Sequence, residues 1–307
     1  MARYVRFGGL ASIVVVDNDE EIDALIDRPD LDRTYVAAGP PINRVLVAIL
    51  RHSLFRDGRA LLSFRPRADS QRKTAQAALA QRLDAFAQRG PWAGEAIAAM
   101  ATYAVRGTDR DAALAALTYA TAYPFLAGAD ADQPIPFEPA RFRHLFELYQ
   151  DLKFARSRWK GLPRRLMGND KRAAGEILKL TGGDDYGLHA VGITLDNSVL
   201  ILENLRALFP RSESDKAGPR PFDWSKIRTA PATLTRQNRS PCNFAGIPGD
   251  VPANALILLN TRQALRPASP AGFEFASKHW SFCPASRYIE AIFARVYDTA
   301  EKLRVSP

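Results

Sequence analysis

The side chain best placed for chemistry is Cys283. It follows the irregular aromatic run GFEFASKHWSF, is itself followed by Pro284, and precedes a segment with helical periodicity. A helix N-terminus presents unpaired N–H groups and positive dipole potential, and both favour a thiolate over a thiol. Lys278, His279 and Arg287 add positive charge nearby. A thiolate in such surroundings serves as a nucleophile or as a metal ligand. The plain alternative is a buried thiol that only packs, because cysteine outside disulfides is among the most buried residue types. Cys242 has no comparable neighbours and reads as structural.

Other chemistries leave no trace. The sequence has no zinc-type CxxC or HExxH spacing, no Walker loop and no GxGxxG or GxSxG motif. His52, His144, His189 and His279 are scattered, which speaks against a zinc site. A cysteine thiolate on iron, by contrast, is one of the few ways a protein holds a catalytic heme.

The elements that must position Cys283 are mostly helical. Ala11–Val16 (ASIVVV) is a short β-branched run and predicts a strand. Asp17 then predicts a helix cap, with Asp19, Glu20 and Glu21 in a first turn whose dipole favours acids, through about Ile26. Beyond Pro41 the apolar spacing is helical, through Ile42, Val45, Leu46, Ala48 and Ile49. Ala75–Ala87, Ala93–Val105, Arg110–Tyr123, Pro139–Phe154 and Lys171–Leu180 read the same way. Tyr186–Phe209 predicts one long helix, stopped by Pro210 and striped by Leu188, Val191, Leu195, Val199, Leu202 and Leu205. At ~1.5 Å per residue it spans roughly 36 Å. A polar loop, RSESDKAGPRP, leads to short predicted strands at Ala232–Arg236, Cys242–Phe244 and Ala255–Leu259, and a last helix covers Ala285–Leu303. The expected fold is mainly α with a small β-rich part. A single domain is expected over 1–307: helix-rich 36–210, β-rich and Cys-loop 222–284, last helix 285–303.

The chain of 307 residues has a net charge of +9 and is 47% hydrophobic, too apolar for a disordered chain. Two cysteines cannot build a disulfide framework, which points to a reducing compartment. The opening MARYVRFGGL has no apolar h-region, and no run reaches the ~18 apolar residues of a membrane helix. The expectation is a cytoplasmic protein with no membrane contact. Positive charge concentrates in Lys153, Arg156, Arg158, Lys160, Arg164, Arg165, Lys171 and Arg172, opposed only by Asp170. Such a stretch suits an acidic partner or a nucleic-acid backbone, and the plain alternative is a solvated face. A basic helical nucleic-acid binder is the weaker reading, because no aromatic stacking platform accompanies the run.

In their order these segments resemble the cytochrome P-450 family. Ile247-Pro248-Gly249-Asp250-Val251 resembles the turn between two of its strands, and Cys283-Pro284 its heme-ligand dipeptide. The helix that follows, the long helix Tyr186–Phe209 and the opening IVVVDNDEEIDALI resemble family elements in sequence order. The resemblance implies a compact P-450-like fold and a heme b whose proximal iron ligand is Cys283. It implies that Arg236 holds a heme propionate, that Phe275 (or Phe273) is the loop phenylalanine, and that His279 and Arg287 contact the cofactor. Arg65, Arg67, Arg72 and Lys73 stand where an early helix supplies further propionate contacts. Thr194, Asp196 and Asn197, with Gly192 and Ser198, occupy the place of the proton-delivery motif. The implied activity is that of an oxidoreductase, a monooxygenase or a peroxide-using or rearranging variant. The implied substrate is a small, mostly apolar organic molecule lying between Ala190–Thr194 and the heme. The basic stretch then suits a ferredoxin-type acidic electron donor.

The sequence departs from that pattern at several places. His279 stands where the ligand loop has Gly, Phe275 lies one residue too far from Cys283, and Ala285 replaces the Gly after it. Ser225 stands where the family's ExxR glutamate would precede Arg228, while a literal ExxR, Glu203-Asn-Leu-Arg206, lies on the long helix. These departures keep a second reading open: a degenerate relative without heme that acts as a binding partner.

Overall fold

The computed structural model describes residues 2–56, 59–60, 65–90, 92–126, 135–156, 167–181, 185–209, 233–260 and 283–305. The chain falls into two compact units: Met1–Ala77 with Ala230–Cys283, and Ala78–Thr229 with Pro284–Pro307.

The first unit is built on a five-stranded mixed sheet. The strand expected at Ala11–Val16 forms over those residues as β2, with Val14 and Val16 fully buried. Arg3–Phe7 folds back on it as β1, antiparallel, with Arg3 opposite Val15. The reversal uses Gly8 and Gly9, both at positive φ, where glycine alone has no Cβ penalty. This strand was not evident from the sequence, because three of its five residues are Arg or Tyr. β2 pairs in parallel with β7 (Leu256–Asn260), which pairs antiparallel with β6 (Thr233–Asn238), which pairs antiparallel with the short β3 (Leu31–Asp32). The order is therefore β1-β2-β7-β6-β3. Helix α1 (Asp19–Ile26) sets Ile22 and Ile26 in a core with Val14, Val16, Ile257 and Leu259.

Two local expectations shift here. The α1 cap is Asn18, not Asp17: its Oδ1 accepts from the N–H groups of Glu20 (2.9 Å) and Glu21 (3.1 Å). Asp17 instead pairs with Arg3 and accepts from Asn260 Nδ2 at 2.9 Å. The strand expected at Cys242–Phe244 reduces to one antiparallel bridge between Cys242 and Val251. Pro241 and Pro252 flank that bridge and donate no N–H, so the ladder cannot extend past them. Helix α2 (Pro41–Leu54) is followed by a separate minimal pair, β4 (Phe55–Arg56) and β5 (Arg59–Ala60).

The second unit is helical. Its described helices follow α3 (Ser70–Arg89), in which the division between the units falls. They are α4 (Gly94–Arg106), α5 (Arg110–Leu126), α6 (Pro139–Arg156), α7 (Asn169–Thr181), α8 (Asp185–Ala207) and α9 (Ser286–Val305). α5 is buried on every side from Ala113 to Pro124, the mark of a central helix. α8 is the expected long helix. Leu188, Val191, Leu195, Leu202 and Leu205 are buried along it, as their spacing predicts. It ends two residues early, where the N–H groups of Leu208 and Phe209 turn to the carbonyls of Leu205 and Arg206. α9 buries Tyr288, Ile289, Ile292, Phe293, Val296 and Tyr297. Its Tyr288 hydroxyl donates to the Ala120 carbonyl at 2.6 Å and accepts from Trp92 Nε1 at 2.7 Å. Among the described residues no helix is long and apolar enough to cross a membrane.

Candidate functional site

The most unusual chemistry lies in the sheet of the first unit. β6 carries Arg236, Gln237 and Asn238, all fully buried. Asp32 pairs with Gln237 and Leu31 with Asn238, so continuing the register sets Arg33 across from Arg236. Like charges at such positions repel. Burial first, and Arg33 second, penalise the Arg236 charge and push its pKa down to about 9, against the pull of Tyr35, Asp32 and Asp27. Burial lowers the pKa of Arg33 as well.

The surroundings hold Arg236 and the loop after Arg33 in place. Arg236 Nη1 donates to the Thr235 carbonyl at 2.9 Å. Gln237 pins the loop after Arg33: its Oε1 accepts from Thr34 Oγ1 (3.0 Å) and the Val36 N–H (2.7 Å), and its Nε2 donates to the Val36 carbonyl (2.9 Å). Tyr35 lies between those two bonds at φ 44, a conformation uncommon for a bulky residue. Its hydroxyl is 2.7 Å from Thr235 Oγ1. Asp32 is buried, and its Oδ1 accepts the N–H groups of Arg33 (2.7 Å) and Arg67 (3.0 Å) while its Oδ2 pairs with Arg239. Arg67 Nη1 reaches the Asp27 carbonyl oxygen at 3.0 Å. Asp32 and Asp27 thus favour the buried Arg236 charge, and Asp32 also pairs with Arg239.

The other expected site residues divide into three groups. Cys283 is half-buried, in no disulfide, and three residues ahead of α9. Cys242 is buried; its Sγ accepts from Asn238 Nδ2 at 3.5 Å and burial pushes its thiol pKa up, the profile of an inert structural cysteine. Thr194 lies half-buried on α8, which also carries Asp196 and Asn197. The side chains of Asp196 and Asn197, and the whole of Phe275 and His279, lie outside the described residues. Arg287 opens α9 on the surface, where its guanidinium is 3.4 Å from Asp84 of α3. Among the described residues no group of His, Cys, Asp and Glu is disposed to hold a metal ion.

No protein-family model matches the sequence, and no curated protein matches it. Solved structures do match. A variant of cytochrome P450SP alpha aligns over 99% of this chain and 85% of its own, with a TM-score of 0.52 and 13% identity. The fold is cytochrome P450-like. Two further structures of that protein, a second variant and its complex with (R)-ibuprophen, align with TM-scores of 0.49 and 15% identity over the same shares. At these identities the likeness is one of fold.

The literal ExxR on α8 ties that helix to its neighbours. Glu203 Oε2 accepts from Tyr103 Oη at 2.6 Å and its Oε1 from Arg110 Nε at 2.9 Å. Arg206 stacks over the Tyr103 ring, 5.5 Å from its centre. Glu203 and Arg206 thereby clamp α8 to the corner between α4 and α5. Burial works against the Glu203 carboxylate, but the bonds from Tyr103 and Arg110 outweigh it and hold its pKa below the usual range. Gly192, on the same helix, faces α6: an added Cβ would stand 3.3 Å from the Tyr149 ring.

Sequence reasoning allowed Arg236 to be a surface strand residue; it is fully buried. Arg33 and Asp32 were missed altogether. The strand that ends at Asp32, just before Arg33, is two residues long, and its partner in the sheet lies about 200 positions away. Of the early basic residues, Arg72 is buried, with its N–H on Asp69 Oδ1 at 2.9 Å, whereas Lys73 is exposed.

Proposed function

We propose that the protein is a heme-thiolate oxidoreductase acting on a small, mostly apolar organic substrate, as one functional domain over 1–307. The observation that carries this reading is the cytochrome P450-like fold. Arg236, fully buried on β6, is the residue that the family resemblance assigns to a heme propionate. Cys283 supplies a thiol of the kind that binds iron, outside any disulfide and close to a helix start. Bound by Cys283, a heme supplies iron-centred oxidation, with the thiolate donating electron density that favours O–O cleavage.

The remaining work belongs to this chain's own residues. Arg236 and Arg33 orient the cofactor by its carboxylates, and the Gln237 clamp fixes the loop that carries Arg33. Thr194, Asp196 and Asn197 on α8 hold or pass protons. His279, Phe275 and Arg287 complete the proposed cofactor contacts, and the basic stretch around Lys153–Arg172 receives an acidic electron donor of ferredoxin type.

The test is spectroscopic. The purified protein, or the protein supplied with hemin, is expected to give the carbon-monoxide difference band of a heme thiolate. Cys283→Ser should abolish that band and Cys242→Ser should leave it. Equal effects of the two changes would remove Cys283 as the ligand. A colourless protein that takes up no hemin would leave the reading of a heme-free binding partner.

A further inference from the structure

Tyr149 breaks a pattern set by other tyrosines buried in the helical unit. Tyr103 donates to Glu203 at 2.6 Å, Tyr119 to the Ile135 carbonyl at 2.8 Å and Tyr288 to the Ala120 carbonyl at 2.6 Å. Tyr149, on α6, is only 4% exposed, and its hydroxyl is fully buried with no hydrogen-bond partner among the described residues. Burial pushes its pKa far above the usual value, so the group stays a neutral O–H donor. A buried donor without an acceptor weakens the fold that contains it, and where one persists it calls for a function.

The position of the ring suggests which function. It lies against Gly192 of α8, whose missing Cβ lets the ring come close to the helix backbone. Gly192 is the middle residue of Ala190–Thr194, the segment beside which the proposed substrate lies. The buried side chains around this place along each helix are hydrocarbon: Leu145, Leu148 and Leu152 on α6, and Leu188, Val191 and Leu195 on α8. Binding sites for small organic molecules combine such apolar lining with a few polar groups that fix orientation. A neutral donor recognises an acceptor, namely a carbonyl, ether or hydroxyl oxygen, and gives no preference to a hydrocarbon or a cation.

We infer that Tyr149 is a specificity-determining residue whose hydroxyl donates to one oxygen acceptor on an otherwise apolar substrate held beside Gly192 of α8. The inference rests on the proposed reading of an apolar organic substrate along α8 and is tested without any cofactor signal. Two probes of nearly equal shape are compared, acetophenone and ethylbenzene, which differ by a carbonyl in place of a methylene. Their dissociation constants are measured by titration calorimetry on the full-length protein, with and without hemin. Acetophenone is expected to bind about five-fold more tightly, as one neutral hydrogen bond allows. Tyr149→Phe should erase that preference and keep the affinity for ethylbenzene. The same variant should melt no lower than the parent, because it removes a buried donor that has no acceptor within the fold. Equal affinities in the parent, binding of neither probe, or a preference that survives Tyr149→Phe would overturn the inference. So would a lower melting temperature of the variant, since the hydroxyl would then already have a partner inside the protein. The heme reading fails separately. A protein that takes up no hemin yet prefers acetophenone loses the cofactor and keeps the role of Tyr149, and one that takes up hemin but binds both probes equally does the reverse.

Discussion

The protein surrounds ionised side chains in two contrasting ways, one at its partly exposed Glu203 and one at its buried Arg236. At Glu203 the charges balance. One carboxylate takes a tyrosine hydroxyl and an arginine, and each partner sits on a different helix. At Arg236 burial and the nearby Arg33 work against the charge, while Tyr35, Asp32 and Asp27 support it. A balanced cluster explains itself as structure: it ties helices together and asks for nothing more. Burial and repulsion from Arg33 oppose the Arg236 charge, which a bound anion would favour.

That contrast can be broken or sharpened by mutation, and the largest effect is expected at Asp32. Asp32→Ala removes buried negative charge from between cations and should cost about 3–5 kcal/mol of unfolding free energy, read in urea melts. Next comes Arg236→Met. Were Arg236 structural, its loss would destabilise the protein; as half of a repelling pair, its replacement by an apolar side chain should be neutral or stabilising by up to about 4 kcal/mol. The same variant should lose hemin affinity, so a destabilised variant with intact hemin uptake would reverse the comparison. Gln237→Leu leaves the Val36 N–H without its partner, while the Val36 carbonyl keeps the Ala38 N–H, and should cost about 1–3 kcal/mol. It should also weaken hemin binding by freeing the Arg33 loop.

The smallest effect belongs to the balanced cluster. The folded Glu203 has a pKa below its unfolded value, so its contribution is complete above the ordinary carboxylate range and disappears as pH falls through the folded pKa. The side chain is one-third exposed (33%), which screens the interaction, and Glu203→Gln should cost only about 0.5–1 kcal/mol at neutral pH. Once the pH has fallen through the folded pKa, below the ordinary carboxylate range, the variant and the parent should converge in stability. A persistent gap there would mean that Glu203 acts through packing rather than charge.

Much of this architecture was legible because its signals are local. ASIVVV became β2 residue for residue, since β-branched alternation needs no distant partner to be recognised. The leucine and valine spacing of 188–205 likewise gave α8, and the apolar face of α9 followed from Ile289, Ile292 and Val296. What escaped was set by pairing at a distance. Arg3–Phe7 is a strand because β2 lies beside it, and its own residues do not announce it. Cys242–Phe244 reads as a strand but is limited by two prolines to a single bridge. At the candidate site, Arg236 and Cys283 were named from the order of segments, whereas Arg33 and Asp32 emerged only from the register of β3 on β6.

The parallel pairing of β2 with β7 has a consequence for synthesis. Ile13–Val16 meets Leu256–Leu259, about 240 residues further along the chain. At a ribosomal pace of about 5–20 residues per second, the first of these strands waits roughly 12–50 s for its neighbour. Throughout that interval Val14 and Val16, fully buried in the finished sheet, have no partner on that side. The nascent chain therefore carries an open apolar edge through most of its translation, and its yield in a cell should depend on chaperones that bind such edges early.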